Sequence, residues 1–127
     1  MTLQALVIDD SRAMRMILSR MLEDCGFEVI EAQDGRQALA QLSRLDHPAL
    51  ATVDWNMPEM NGYEFVKAVR AEPEYSNVTL MMVTAETEID QVVRALAAGA
   101  NEYVMKPFTK DVIVGKLELL GLANGLQ

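Results

Sequence analysis

Five residues have types that could do chemistry together: Asp9 and Asp10 side by side, Asp54, Thr84 and Lys106. Each stands at the end of a short apolar run. Carboxylates crowded into one cleft repel each other, so either a pKa rises or a cation enters. Mg2+ suits such a set, because it is hard, prefers oxygen ligands and usually keeps several waters. A carboxylate can also attack phosphorus and form an acyl phosphate. Asp54 is the candidate nucleophile, since it ends the middle run ahead of the turn Trp55-Asn56-Met57-Pro58. A phosphoryl group arriving there is highly charged and needs electrostatic stabilisation. Mg2+ would supply most of it, with a positive charge from Lys106 and a hydroxyl donor from Thr84. Singly, each residue has a plainer reading: Asp10 or Ser11 as a cap of the first helix, Thr84 as a cap of a later one, Lys106 as a solvated lysine. Their joint appearance at run ends favours the chemistry.

These residues need elements to position them. Five short runs have strand length and composition: Leu3 to Ile8, Phe27 to Ala32, Ala49 to Val53, Val78 to Val83 and Asn101 to Met105. Between them lie segments of helical period. Met14, Ile17, Leu18, Met21, Leu22 and Cys25 share one face in the first. Ala38, Leu39 and Leu42 follow Asp34-Gly35, and Phe65, Val66 and Val69 follow Gly62. Ile89, Val92, Val93 and Leu96 follow an acidic start at Glu86 and Glu88. The last helix is the weakest by propensity, because Val112, Ile113, Val114 and Gly115 are poor helix formers after the N-cap Thr109. The tail Leu122 to Gln127 is expected to fray. Strand-helix alternation repeated five times predicts a doubly wound α/β domain, a parallel sheet with helices on both faces. In that architecture ligands bind beyond the carboxyl ends of the strands, and Asp9, Asp10, Asp54, Thr84 and Lys106 all fall there.

Composition narrows the class. A chain of 127 residues fits one domain, 1–127, and 50% hydrophobic content allows a real core. The net charge of -8 disfavours nucleic-acid or membrane-surface partners and suits metal ions and basic protein surfaces. The single cysteine, Cys25, excludes an internal disulfide and reads as buried at the end of the first helix. No signal peptide or membrane-spanning run is seen, so a cytoplasmic location is expected. His47 reads as a surface loop residue. Met14, Met16, Met21, Met81, Met82 and Met105 read as packing.

The blocks Ile8-Asp9-Asp10-Ser11, Asp54-Trp55-Asn56-Met57-Pro58 with Met60-Asn61-Gly62, Val83-Thr84-Ala85-Glu86 and Tyr103 to Phe108 resemble the signature blocks of response-regulator receiver domains. They fall in the family's order over nearly the whole chain. Within the family, the stretches around Asp54, Thr84 and Lys106-Pro107-Phe108-Thr109 look like single-domain chemotaxis regulators, and the chain length, with no effector domain expected to follow, agrees with that. The resemblance implies a flavodoxin-like fold with five strands in the order 2-1-3-4-5 flanked by five helices. It implies that Asp54 is the phosphoacceptor and that Asp9, Asp10, Asp54 and the Asn56 backbone carbonyl hold Mg2+. Lys106 would contact the phosphoryl group, Thr84 would move toward it, and Tyr103 would follow as a rotamer switch. Tyr103 also reads as an ordinary half-buried strand aromatic. Asn56 and Glu86 would tune dephosphorylation, and Lys106-Pro107 would be a cis peptide. The face formed by the fourth helix, fifth strand and fifth helix would change shape, with Gln91, Arg94, Ala95 and Tyr103 as outer-face residues. The implied partners are a histidine kinase or phosphotransfer protein and a downstream target such as a flagellar motor switch component. The implied protein is not an enzyme beyond its own phosphorylation and dephosphorylation.

Other readings fit less well. A nucleotide-binding Rossmann domain needs a Gly-rich first turn, and Asp-Asp-Ser-Arg-Ala has no glycine. A flavin binder would not set two aspartates against a phosphate. An aspartate-nucleophile phosphatase of the haloacid dehalogenase type uses Mg2+, Asp, Thr or Ser and Lys, but places an Asp-x-Asp after its first strand. Within the family, a phosphorelay shuttle or a receiver of another pathway is the alternative.

Overall fold

The structure, a computed structural model, describes residues 2–85 and 89–122. Its elements alternate in the order β1 (Gln4–Ile8), α1 (Arg12–Asp24), β2 (Glu28–Ala32), α2 (Gly35–Leu42), β3 (Pro48–Asp54), α3 (Gly62–Arg70), β4 (Thr79–Ala85), α4 (Ile89–Ala98), β5 (Glu102–Lys106) and α5 (Lys110–Leu119). A 3-10 turn, Pro73–Tyr75, precedes β4. All strand pairs are parallel, and the sheet order is β2-β1-β3-β4-β5. This is the expected doubly wound fold. The chain runs outward from β1 to β2, then returns past β1 to β3, so the order reverses beside β1.

Side chains alternate across the sheet with period two, and the two faces bury separate clusters. Leu6, Ile8, Val53 and Met82 pack under Ala38 and Leu42 of α2, Phe65, Val66 and Val69 of α3, and Ala95 of α4. Ala5, Val7, Met81, Val83 and Val104 pack under Leu18 and Leu22 of α1 and Ile113 and Leu117 of α5. Full burial of such a side chain stabilises by roughly 1.5–3 kcal/mol. Helix starts are capped by local chemistry: Ser11 accepts from the Met14 N–H, Asp34 from Gln37, Thr109 from Val112, and Asn61 forms a capping box with Glu64.

Several expectations need correction. Ile17 and Met16 on α1 are 46% exposed, and the buried α1 stripe narrows to Leu18, Ser19 and Leu22. On α4, Val93 and Leu96 are exposed, whereas Val92 and Ala95 are buried. Ala95 is therefore core, not an outer-face residue. Met105 is exposed, because odd and even positions of β5 face opposite ways and Val104 takes the buried one. The poor helix formers of α5 do form a helix, held by Ile113 and Leu117 in the core, so burial outweighs propensity there. Leu122 packs against the α1/α5 cluster and its N–H donates to the Leu117 carbonyl, whereas residues 123–127 lie outside the described part. Cys25 is buried as the C-cap of α1, burial pushes its thiol pKa up, and His47 is exposed.

Candidate functional site

Register brings the polar residues together. Ile8 pairs with Val53, and Asp54 pairs with Val83, so Asp9, Asp54 and Thr84 emerge at one level of the sheet. Lys106 closes β5 opposite Ala85. One carboxylate oxygen each from Asp9, Asp10 and Asp54 lie within 4.8 Å of one another. Asp9 and Asp54 are buried and Asp10 is exposed. Lys106 Nζ lies 3.4 Å from Asp9 Oδ2 and 3.4 Å from Asp54 Oδ1, bridging the two buried acids. Asp9 is fixed further by the Ser11 N–H, which donates to its Oδ1 at 2.8 Å.

The electrostatics follow from crowding. Burial and the neighbouring Asp9 push the Asp54 carboxyl up to about 6, against the pull of Lys106. Burial works to lower the Lys106 pKa, but the charges of Asp54 and Asp9 outweigh it and hold it above its ordinary value. One ammonium facing three acids leaves an excess of negative charge, and an all-oxygen donor set of this kind fits a hard divalent cation. The open cleft beside it, about 410 Å³, is lined by Asp10, Trp55, Asn56, Met57, Pro58 and Asn61. Gly62 seals the base of that loop: its N–H donates to the Trp55 carbonyl, and a Cβ there would lie 2.6 Å from the Asp54 carbonyl oxygen.

Thr84 is fully buried, and its Oγ1 has no hydrogen-bond partner among the described residues. Tyr103 pairs in register with Met82, two residues before Thr84, and packs half-buried against the cluster on the α4 face. Lys116 Nζ sits 5.1 Å from its ring centroid and 3.2 Å from Glu102 Oε1. Asn56 is exposed at the cleft. The Lys106-Pro107 peptide is cis. Glu86 lies outside the described residues.

Two features had no motif in the sequence. Trp55, buried beside Asp54, packs 6.0 Å from the Tyr63 ring, over which Arg94 of α4 sits at 4.8 Å. Arg15 reaches back from the first turn of α1 to the Asp9 carbonyl. Its only sequence signal is a long cation one helical turn beyond the Ser11 cap.

Fold and crevice together define a flavodoxin-like α/β domain with an acidic, lysine-bridged cleft at its switch point. The response regulator receiver domain family matches residues 5–118, and the chain belongs to that family, the switch modules of two-component signal transduction. A chemotaxis protein CheY homolog of Campylobacter jejuni is 44% identical over 97% of this chain and 96% of its own length. Chemotaxis protein CheY of Pseudomonas aeruginosa is 43% identical over 91% and 94%. The solved structure of chemotaxis response regulator CheY4 of Vibrio cholerae superposes with a TM-score of 0.86 at 36% identity, covering 94% of this chain and 99% of that one. Among the described residues no helix is long and apolar enough to cross a membrane.

Proposed function

We propose that this response regulator takes a phosphoryl group on Asp54 and signals through the face formed by α4, β5 and α5. The observation that carries the reading is the cluster of Asp9, Asp10 and Asp54, within 4.8 Å, bridged by Lys106. Asp9, Asp10, Asp54 and the Asn56 carbonyl would hold Mg2+, which when bound neutralises charge that builds on the phosphoryl oxygens. Asp54, as a carboxylate, attacks phosphorus through one of its oxygens. A P–O bond forms at Asp54 as the bond from phosphorus to the donor's leaving atom breaks, and the leaving group keeps that electron pair. Lys106 contributes positive charge on the β5 side. The orphaned Thr84 hydroxyl then gains a charge-assisted hydrogen bond to the phosphoryl group. Tyr103 follows into the space released, and the face changes shape. Asn56 and Glu86 set how fast water removes the group. The chain does no chemistry on other substrates and acts as a single receiver domain over 1–127.

Likeness to the CheY proteins supports a role in chemotaxis, in the cytoplasm, between a histidine kinase or phosphotransfer protein and a target such as a flagellar motor component. Exposed Val93, Leu96, Met105 and Val112 on α4, β5 and α5 supply apolar contact for that target. The test is Trp55 fluorescence during titration with Mg2+, then acetyl phosphate or beryllofluoride, in wild type and Asp54→Asn. A response to Mg2+ and a second response that needs Asp54 support the reading. A wild type indifferent to both would sink it.

A further inference from the structure

The geometry points to Arg15 as the residue that positions the Asp9–Asp10 peptide, and through it the metal-facing carboxylate of Asp10. The inference rests on the Mg2+ reading above. Every polar group of Asp9 has a partner. Its N–H donates to the Ala32 carbonyl at 3.1 Å, Oδ1 accepts from the Ser11 N–H at 2.8 Å, and Oδ2 faces Lys106 at 3.4 Å. Its carbonyl accepts from Arg15 Nη1 at 2.7 Å, the shortest of these contacts. That carbonyl belongs to the peptide that leads into Asp10, so its direction sets where the Asp10 side chain leaves the backbone.

Asp10 has no such support. It is exposed, and its carboxylate takes no hydrogen bond among the described residues. Arg15 is itself held at both ends. Its backbone N–H donates to the Ser11 carbonyl at 3.0 Å, the first bond of α1. Its Nε donates to Glu31 Oε1 of β2 at 3.1 Å, with the arginine side chain only 15% exposed. One planar guanidinium thus ties β1, α1 and β2 together behind the acid cluster. A lysine would place its donors on one nitrogen at the end of a flexible stem and so would not hold the two directions of this planar fork. Partners behind the ligands commonly change metal affinity by about tenfold or more when removed.

Charge and position predict opposite signs, so the role can be tested. A cation beside three acids competes with Mg2+, and if Arg15 acted by charge alone, Arg15→Ala would tighten Mg2+ binding and Arg15→Lys would leave it unchanged. As a positioning residue, both substitutions weaken Mg2+ binding about tenfold. Glu31→Ala, at a more exposed site, frees one anchor of the guanidinium and weakens binding by a smaller factor. The experiment is a Trp55 fluorescence titration with Mg2+ on all four proteins, alongside thermal unfolding without metal. Weaker binding in both Arg15 variants and in Glu31→Ala supports the inference. Unchanged or tighter Mg2+ binding, with or without a lower metal-free melting temperature, overturns it. If the Arg15 variants fail to fold, Glu31→Ala decides in the same way. A wild type that ignores Mg2+ overturns the metal reading itself, whereas a responsive wild type with indifferent variants overturns only the role of Arg15.

Discussion

Asp54 shows how a residue suited to chemistry burdens the fold. Its carboxyl is buried beside Asp9, which pushes its pKa from 3.8 up to about 6. The folded metal-free state therefore binds this proton more tightly than the unfolded chain. The stability it contributes is fully present below pH 3.8 and is lost as pH rises through about 6. Asp54→Asn removes that loss. Without metal, the variant is expected to exceed wild type in stability at pH 7.5 by on the order of 2–3 kcal/mol, and the gap should close toward pH 4. Urea unfolding of both proteins across this range checks it. A constant gap, or a less stable variant, would refute the electrostatic account. Thr84 is a second such burden, a fully buried hydroxyl with no partner among the described residues.

At the scale of elements, packing decides where propensity fails. The sequence of α5 is poor for a helix, and Ile113 and Leu117 make it one by burying in the α1/α5 layer. Gly115 contributes nothing to that packing, since a Cβ added there would meet no atom within 4 Å. Gly115→Ala should therefore stabilise the domain by about 0.5–1 kcal/mol, seen as a higher denaturant midpoint at unchanged slope. A loss of stability would mean that α5 needs the glycine for a reason the packing does not show. Gly99 is different: its φ is +123° and Arg70 lies against it, donating from Nε to its carbonyl at 2.9 Å. The same guanidinium donates to the carbonyls of Tyr75 and Val78 and to Asn101 Oδ1, so it anchors the end of α4 to the starts of β4 and β5.

Across the whole molecule, a cation bound only by the folded state must stabilise it. Mg2+ at a hundred times its dissociation constant should add about 2.7 kcal/mol and raise the melting temperature by several degrees. The net charge of -8 means that any salt relieves some self-repulsion, so NaCl at equal ionic strength is the control. A shift that Mg2+ produces and NaCl does not, and that disappears in Asp54→Asn, ties the effect to the acid cluster. Equal shifts from both salts would assign it to screening.

By itself the sequence determined the alternation of strand and helix, the placing of Asp9, Asp10, Asp54, Thr84 and Lys106 at strand ends, and the family. Those properties are local, carried by period, turn residues and block order. Strand order came from family resemblance and not from the residues, because period alone does not say which strands neighbour. Tertiary structure alone decided which apolar residues are core: Ala95 is buried and Val93, Leu96, Ile17 and Met105 are exposed. Helical period marks a face but not its width, which depends on how closely the neighbouring layer approaches. It also decided the long-range polar contacts, the bridging of Asp9 and Asp54 by Lys106 and the reach of Arg15 to Glu31 of β2. Such contacts join residues brought near only by the register of the sheet and the docking of α1, and no spacing along the chain encodes them.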